Sequence, residues 1–270
     1  LLERVASDLS PGERQSLVDD AWAAVVAGDA GVSSFLDMVA GFAGETSPPV
    51  WQTILAGLRW CDRFVQDVAR ERFRESVRDL MRPALQRLGW EGREGETDLD
   101  RELRGDLIRA MGTLGDDRET QALAREDEAR ARAGHSIDPA VASAAIDVAA
   151  FTGGPWEYDI FVERMDGAPT PHDQDRYRFA LPTFRDPDLM QRTLDLIAGG
   201  GVRTQDAPYL LQVCLMNRDL GEMAWQFVRS RWDELIAPLP EGSVIALAQG
   251  ARWLTAPEVV ADVQAFFDEP

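Results

Sequence analysis

The chain has 270 residues, of which 45% are apolar and 28% charged, a composition typical of a folded protein with a sizeable core. Its net charge of -19 argues against a nucleic-acid partner, because phosphate binding needs clustered cations. All 28 positive charges are arginines, which excludes both a Schiff-base lysine and the phosphate-binding lysine of a P-loop.

No apolar run approaches the roughly 18 residues of a membrane helix, so we expect no membrane partner. The N-terminal stretch lacks the pattern of a signal peptide. We therefore expect a cytoplasmic location, with any targeting region outside this chain. An acidic surface favours cationic ligands, such as peptides with free amino termini.

The first two predicted helices follow clear start and stop signals. Ser10, Pro11 and Glu13 suit the cap, first and third positions of a helix that ends at Gly28. Its predicted core face consists of Val18, Trp22 and Val26. The core face of the second helix, from Val32, consists of Phe35, Leu36, Val39 and Phe42.

Four longer helices are predicted next. Ser47 and Pro48 cap the third, whose inward residues are Trp51, Ile54, Leu55, Leu58 and Cys61. The fourth runs from about Val65 to Leu88, and Pro83 within it predicts a kink or a break. After a polar loop, the fifth has an apolar stripe of Leu99, Leu103, Leu107, Met111 and Leu114. The sixth, at 117–132, is mostly charged and is expected on an outer face.

In the second half, a proline repeatedly marks a helix start. These starts are Asp138-Pro139, Gly154-Pro155, Thr170-Pro171, Asp186-Pro187 and Ala207-Pro208. Pro182 interrupts one segment, and the glycines at 199–201 end another. The last two helices have apolar stripes of Val244, Leu247, Ala248 and Ala251, and of Val259, Val263, Phe266 and Phe267.

The stretch 205–235 is predicted to form a helical hairpin with its turn at 217–219. The apolar face of the first helix consists of Leu210, Val213 and Cys214. That of the second consists of Leu220, Met223, Ala224, Phe227 and Val228, with Trp225 and Trp232 spaced along it. A hairpin that cannot bury its outer face alone needs neighbouring helices.

About fourteen helices with short connections predict an all-α fold. We expect antiparallel pairs stacked into a HEAT-like superhelix, with a closed α/α toroid as the alternative. Residues 1–9 are interpreted as a lead-in from a preceding domain. Residues 10–270 are interpreted as a single helical-repeat domain, truncated at its C-terminal end.

Residues suited to catalysis or metal binding are few. His135 and His172 lack a second histidine at zinc-site spacing, and Cys61 and Cys214 are expected to be buried free thiols. Neighbouring carboxylates such as Asp19-Asp20, Asp116-Asp117 and Glu157/Asp159 are expected to cap helices or face solvent. The eight tryptophans favour core packing, and a face lined by a few of them is suited to peptide binding. We predict no catalytic, cofactor-binding or metal residue, and the substrate-binding residues stay unassigned.

Four stretches, in order, resemble the C-terminal helical domain of zinc aminopeptidases of the aminopeptidase N type, which include the endoplasmic-reticulum aminopeptidases. They are ERQSLVDDAW at 13–22, VWQTILAGL at 50–58, LGW with a following LRGDLIRAMGTLGD within 88–116, and NRDLGEMAWQFVRSRWDEL at 217–235.

The resemblance implies a parent enzyme that removes N-terminal residues from peptides. The zinc and the catalytic H-E-x-x-H of such an enzyme belong to a separate catalytic domain, the expected partner within the same polypeptide. No catalytic or zinc residue transfers to this chain, so the fragment alone is expected to be inactive and to hold no cofactor. The helical domain would cap the active site and limit the access of peptide substrates.

Two alternatives stay open. One is a free-standing helical-repeat scaffold that binds another protein. The other is an α/α-toroid carbohydrate enzyme that uses a pair of carboxylates.

Overall fold

The computed structural model describes residues 8–240 and 242–268. Most of the predicted lead-in at 1–9, and the last two residues, lie outside this range. Across the described residues the chain is helical with no strand, which confirms the all-α class. None of these helices has the length and hydropathy that crossing a membrane requires.

The described residues form fifteen α-helices, numbered here α1 to α15. They are α1 Pro11–Ala27, α2 Val32–Ala40, α3 Pro48–Phe64, α4 Asp67–Leu88, α5 Asp98–Thr113, α6 Arg118–Arg132, α7 Pro139–Thr152, α8 Pro155–Gly167, α9 Pro171–Ala180, α10 Pro187–Ala198, α11 Ala207–Met216, α12 Gly221–Ser230, α13 Trp232–Ile236, α14 Ser243–Ala251 and α15 Pro257–Asp268. A 3₁₀ turn, Leu181–Thr183, lies where Pro182 was predicted to interrupt a helix.

A side-chain cap or a proline in the first turn marks most of the described helix starts. Ser10 and Glu13 form the predicted reciprocal capping box at α1, and Gly28 ends that helix with a φ of 80°. In the second half, α7, α8, α9 and α10 each begin at the predicted proline. Helix α4 continues through Pro83, so the chain does not break there, and the alternative of a kink at Pro83 stays a prediction.

The chain divides into two compact units, Leu1–Val148 and Ala149–Pro270. In the first, α1 packs on α3, α3 on α5, and α5 on both α4 and α6. The main core of this unit joins α1 to α5 and includes the fully buried Trp51 and Cys61. In the second, α8 packs on α9, and α11 packs on α12 and most extensively on α14. The superhelical stacking and the single domain stay predictions.

Several predicted core positions are exposed, and helix geometry explains one clearly. Val26 is 72% exposed, whereas Val25 packs against the core. Two steps of four residues from Val18 overshoot its face by about 80°, because each residue advances the helix by about 100°. Leu99, Val244 and Phe267 are exposed at 52%, 36% and 36%.

The hairpin at 205–235 is confirmed, with one correction to its second arm. Helices α11 and α12 flank the predicted turn, but the second arm breaks at Arg231, and Trp232 begins the separate one-turn helix α13. In this arm Trp225, which was predicted to be spaced along the second helix, is fully buried, as are Ala224 and Val228.

Candidate functional site

The two histidines lie in exposed positions. His135 follows α6, and His172 lies in the first turn of α9 rather than in a loop. Within residues 8–240 and 242–268, no group of three or more His, Cys, Asp or Glu side chains is arranged to hold a metal ion.

Both cysteines are buried free thiols, as predicted. Burial raises the pKa of the Cys61 thiol to about 12, and burial also raises the pKa of the Cys214 thiol. Because the thiolate is the reactive form, both sulfurs are unsuited to act as nucleophiles at neutral pH.

Most of the carboxylates named in the sequence analysis accept hydrogen bonds from, or pair with, other groups of the chain. Asp117 caps α6 by accepting from the Thr120 amide at 3.0 Å. Asp116 accepts the side-chain amide of Gln121 at 2.7 Å. Glu157 accepts the Gly154 amide at 2.9 Å, and Asp159 pairs with Arg192 at 2.6 Å. Asp19 and Asp20 are exposed on α1.

The tryptophans divide by burial. Trp51 and Trp225 are fully buried, Trp156 is 65% exposed, and the other five are partly buried. Trp90 lines a cavity of about 240 Å³ together with charged residues. This cavity, which we call the Trp90 cavity, is the candidate binding site.

Arg104 organises the loop that positions Trp90. Gly89 ends α4 with a φ of 75°, which an L side chain rarely adopts. The guanidinium of Arg104, fully buried, donates to the carbonyl oxygens of Gly89 at 3.1 Å and Leu88 at 3.4 Å. Arg104 thus satisfies carbonyls that the end of α4 leaves without helical partners.

The same guanidinium binds Glu96 at the far end of the loop. Arg104 Nη1 donates to Glu96 Oε1 at 3.1 Å, and Nη2 donates to Oε2. The hydrogen bond from Arg104 lowers the pKa of the Glu96 carboxyl to about 2. The charged pair therefore closes the loop between α4 and α5 at neutral pH.

The Trp90 indole is fixed from two sides. Its ring packs on the apolar clusters formed by Ile108, Val141 and Ala144 and by Ala124, Ala145 and Val148. Its Nε1 donates to Asp127 Oδ2 at 2.7 Å, and Arg130 donates to the other oxygen of that carboxylate at 3.0 Å. The indole edge and the Asp127 carboxylate thus hold each other in one orientation.

Asp138 supplies a second carboxylate to the cavity wall at the start of α7. Its Oδ1 accepts the amides of Ala140 at 2.9 Å and Val141 at 3.2 Å. Among the described residues, no hydrogen bond uses its Oδ2. Glu91 also lines the cavity, is exposed, and forms no ion pair with any described residue.

The aromatic ring of Trp90 and the carboxylates around the cavity suit the binding of a cation. From the sequence, Trp90 was named only within the LGW of the family-like stretch at 88–116, and Asp138 only at a helix start. Their convergence with Asp127 was missed because no local pattern links these positions.

Comparison with known proteins finds one matching family model and several related aminopeptidases. The family model described as the ERAP1-like C-terminal domain matches residues 1–270. The chain is 27% identical over 240 residues to aminopeptidase M1-A of Oryza sativa, covering 84% of this chain and 27% of that protein.

Two further relatives align over nearly the whole chain. Alanine/arginine aminopeptidase of Saccharomyces cerevisiae is 25% identical, covering 98% of this chain and 32% of that protein. Endoplasmic reticulum aminopeptidase 2 of Bos taurus is 23% identical, covering 99% and 29%. The chain thus spans less than a third of the length of these relatives.

Proposed function

Because the chain belongs to the family of ERAP1-like C-terminal domains, we propose that it is the C-terminal helical part of a zinc-dependent aminopeptidase that removes N-terminal residues from peptides. The match of the family model to residues 1–270 carries this proposal. The three relatives named above, each an aminopeptidase, support it.

In this proposal the chain has a structural and regulatory role. Among the described residues, no group of three or more His, Cys, Asp or Glu side chains has an arrangement that could hold a zinc ion. The metal and the catalytic groups would belong to a catalytic domain of the same polypeptide, the chain's principal partner. The helical part would cap that active site and limit which peptides reach it.

The first experiment assays the 270-residue chain with aminoacyl chromogenic substrates and added zinc. We expect no turnover above a heat-denatured sample and less than one zinc bound per chain by elemental mass spectrometry. Turnover that a chelator abolishes would overturn the assignment of catalysis to another domain.

The second experiment examines the parent polypeptide. We expect its reading frame to encode H-E-x-x-H before the region of Leu1. The enzyme should trim a short peptide much faster than a folded protein that carries the same free N-terminal sequence. Equal trimming of both would contradict the capping role, and a frame without the zinc motif would favour a free-standing scaffold.

A further inference from the structure

We propose that the Trp90 cavity binds one arginine side chain of a peptide. The identity of the ligand as a peptide rests on the proposed function, whereas the preference for a guanidinium rests on the cavity itself. Nothing in this proposal requires the cavity to lie near the catalytic centre of the parent enzyme.

The volume of the cavity favours a single side chain. Sites for whole small molecules enclose about 300–1,000 Å³, and the Trp90 cavity encloses about 240 Å³. A side chain that enters from a bound peptide fills a space of this size without burying the peptide backbone.

The charge of the lining favours a cation. Three carboxylates, from Glu91, Asp127 and Asp138, line the cavity with one cation, Arg130. Arg130 is already paired with Asp127, so two negative charges have no side-chain cation among the described lining residues. The amides at the start of α7, which would otherwise attract an anion, already donate to Asp138.

The distribution of polar and apolar surface favours a guanidinium over a compact ammonium. Trp90 supplies an aromatic surface and Val141 and Ile137 supply aliphatic ones. A guanidinium is planar, stacks on aromatic rings and is more weakly hydrated than an ammonium. The open Oδ2 of Asp138 offers an acceptor for one of its N–H groups.

The cavity is also held in shape before any ligand binds. Asp127 is 6% exposed and fixes the indole through its 2.7 Å hydrogen bond. The Arg104–Glu96 pair fixes the loop that carries Trp90 and Glu91. A preformed site loses less conformational entropy on binding than a flexible one.

The test follows the Trp90 indole N–H signal by NMR while a blocked pentapeptide, acetyl-Ala-Ala-Arg-Ala-Ala-amide, is added to the chain. The indole signal is assigned from its loss in Trp90→Phe. We expect saturable shifts with the arginine peptide, weaker ones with a lysine peptide, and none with the neutral isostere citrulline. No shift of the Trp90 signal, or equal shifts with citrulline, would overturn the proposal.

Matched variants separate the cavity from general attraction to an acidic protein. Asp138→Asn removes one of the three carboxylate charges that line the cavity but keeps a capping side chain. We expect about tenfold weaker binding, the size of a lost charged hydrogen bond. Asp186→Asn removes the same charge from the cap of α10, outside the cavity, and should leave binding unchanged. Equal weakening in both variants would show non-specific attraction and overturn the site.

Glu91→Gln provides a second variant if Asp138→Asn fails to fold. Because Glu91 is exposed and forms no ion pair with another described residue, its replacement should preserve the unfolding midpoint and weaken binding of the arginine peptide. Unchanged binding in Glu91→Gln would contradict the charge-based selection. These measurements need no peptidase activity, so their failure is distinguishable from a failure of the proposed function.

Discussion

At the scale of single residues, two buried arginines link segments of this acidic chain through hydrogen bonds to carboxylates and carbonyl oxygens. Arg14 is 6% exposed and contacts Glu45 through two hydrogen bonds, at 2.7 and 2.9 Å. Arg104 is fully buried and joins the end of α4 to Glu96 in the loop that follows it. The planar guanidinium supplies several donors in fixed directions, which a lysine ammonium does not.

Asn217, the sole asparagine, clamps the turn between α11 and α12. Its side-chain nitrogen donates to the carbonyls of Pro182 at 2.7 Å and Phe184 at 3.3 Å. Its side-chain oxygen accepts the amides of Asp219 and Leu220, each at 2.9 Å. This one side chain therefore ties the 3₁₀ turn to the start of α12.

Asn217→Ala removes all four hydrogen bonds, and we expect it to lower the free energy of unfolding by about 2–3 kcal/mol. Urea unfolding at neutral pH measures the effect. Gln226→Ala, at an exposed position of α12, serves as the control and should stay close to the parent. Equal stability of the two variants would show that water replaces the Asn217 contacts at little cost.

Glu96 should make the stability of the chain sensitive to acid. Its pKa is lowered from 4.5 to about 2 in the folded state, so its contribution is present above about pH 4.5 and is lost as the pH falls towards 2. Glu96→Gln should therefore lower the thermal midpoint most at neutral pH, and the difference from the parent should shrink in acid. Glu94→Gln, exposed in the same loop, should leave the midpoint unchanged. A Glu96→Gln difference that is constant with pH would contradict the ion pair.

At the scale of helices, the boundaries predicted from capping residues and prolines agree with the structure better than the buried faces predicted from apolar periodicity. Helix α12 illustrates this: its buried residues include Ala224, Trp225 and Val228, whereas Phe227 is only partly buried. Trp225 packs edge-on against Phe266 with ring centroids 5.5 Å apart and donates to Asp262 at 2.8 Å. Helix α15 therefore covers part of the Trp225 ring.

Trp225→Ala should lower the free energy of unfolding by about 3–5 kcal/mol, because the ring is fully buried. Phe227→Ala should cost less, about 1–2 kcal/mol, since that ring is partly buried and lies under the Arg231 guanidinium. Chemical denaturation of both variants tests this order. A larger loss in Phe227→Ala would reverse the assignment of faces.

Two helical glycines should respond to alanine with opposite signs. A Cβ at Gly112 of α5 would lie 2.6 Å from a methyl of Val148 on α7, so Gly112→Ala should destabilise by about 1–3 kcal/mol. At Gly12 of α1 a Cβ meets nothing within 4 Å, so Gly12→Ala should stabilise by about 0.5 kcal/mol. Thermal unfolding of both variants measures the two effects, and a stabilising Gly112→Ala would contradict the close packing of α5 on α7.

At the scale of the whole molecule, the net charge of -19 means that many carboxylates are in excess of the arginines that could pair with them. Within each unit, arginine–carboxylate pairs join neighbouring segments, such as Arg109 with Asp147 and Arg178 with Asp206. The excess carboxylates repel one another across the surface, and this repulsion destabilises the compact state.

Added salt should therefore stabilise the chain. Raising NaCl from about 0.01 to about 0.15 M shortens the screening length from about 30 to about 8 Å, which weakens long-range repulsion more than contact pairs. The thermal midpoint should rise over this range, as followed by circular dichroism. A falling midpoint would show that the local ion pairs outweigh the net repulsion.

The sequence by itself determined the helical class, most helix starts and the family, because these depend on local capping residues, apolar periodicity and the order of similar stretches. It located the hairpin turn at Asn217 for the same reason. Only the tertiary structure revealed the buried arginines, the depth of Trp225 and the Trp90 cavity. Those features depend on residues far apart in the chain, such as Trp90 and Asp127, which are 37 positions apart. Packing between helices brings such residues together, and no local pattern encodes that proximity.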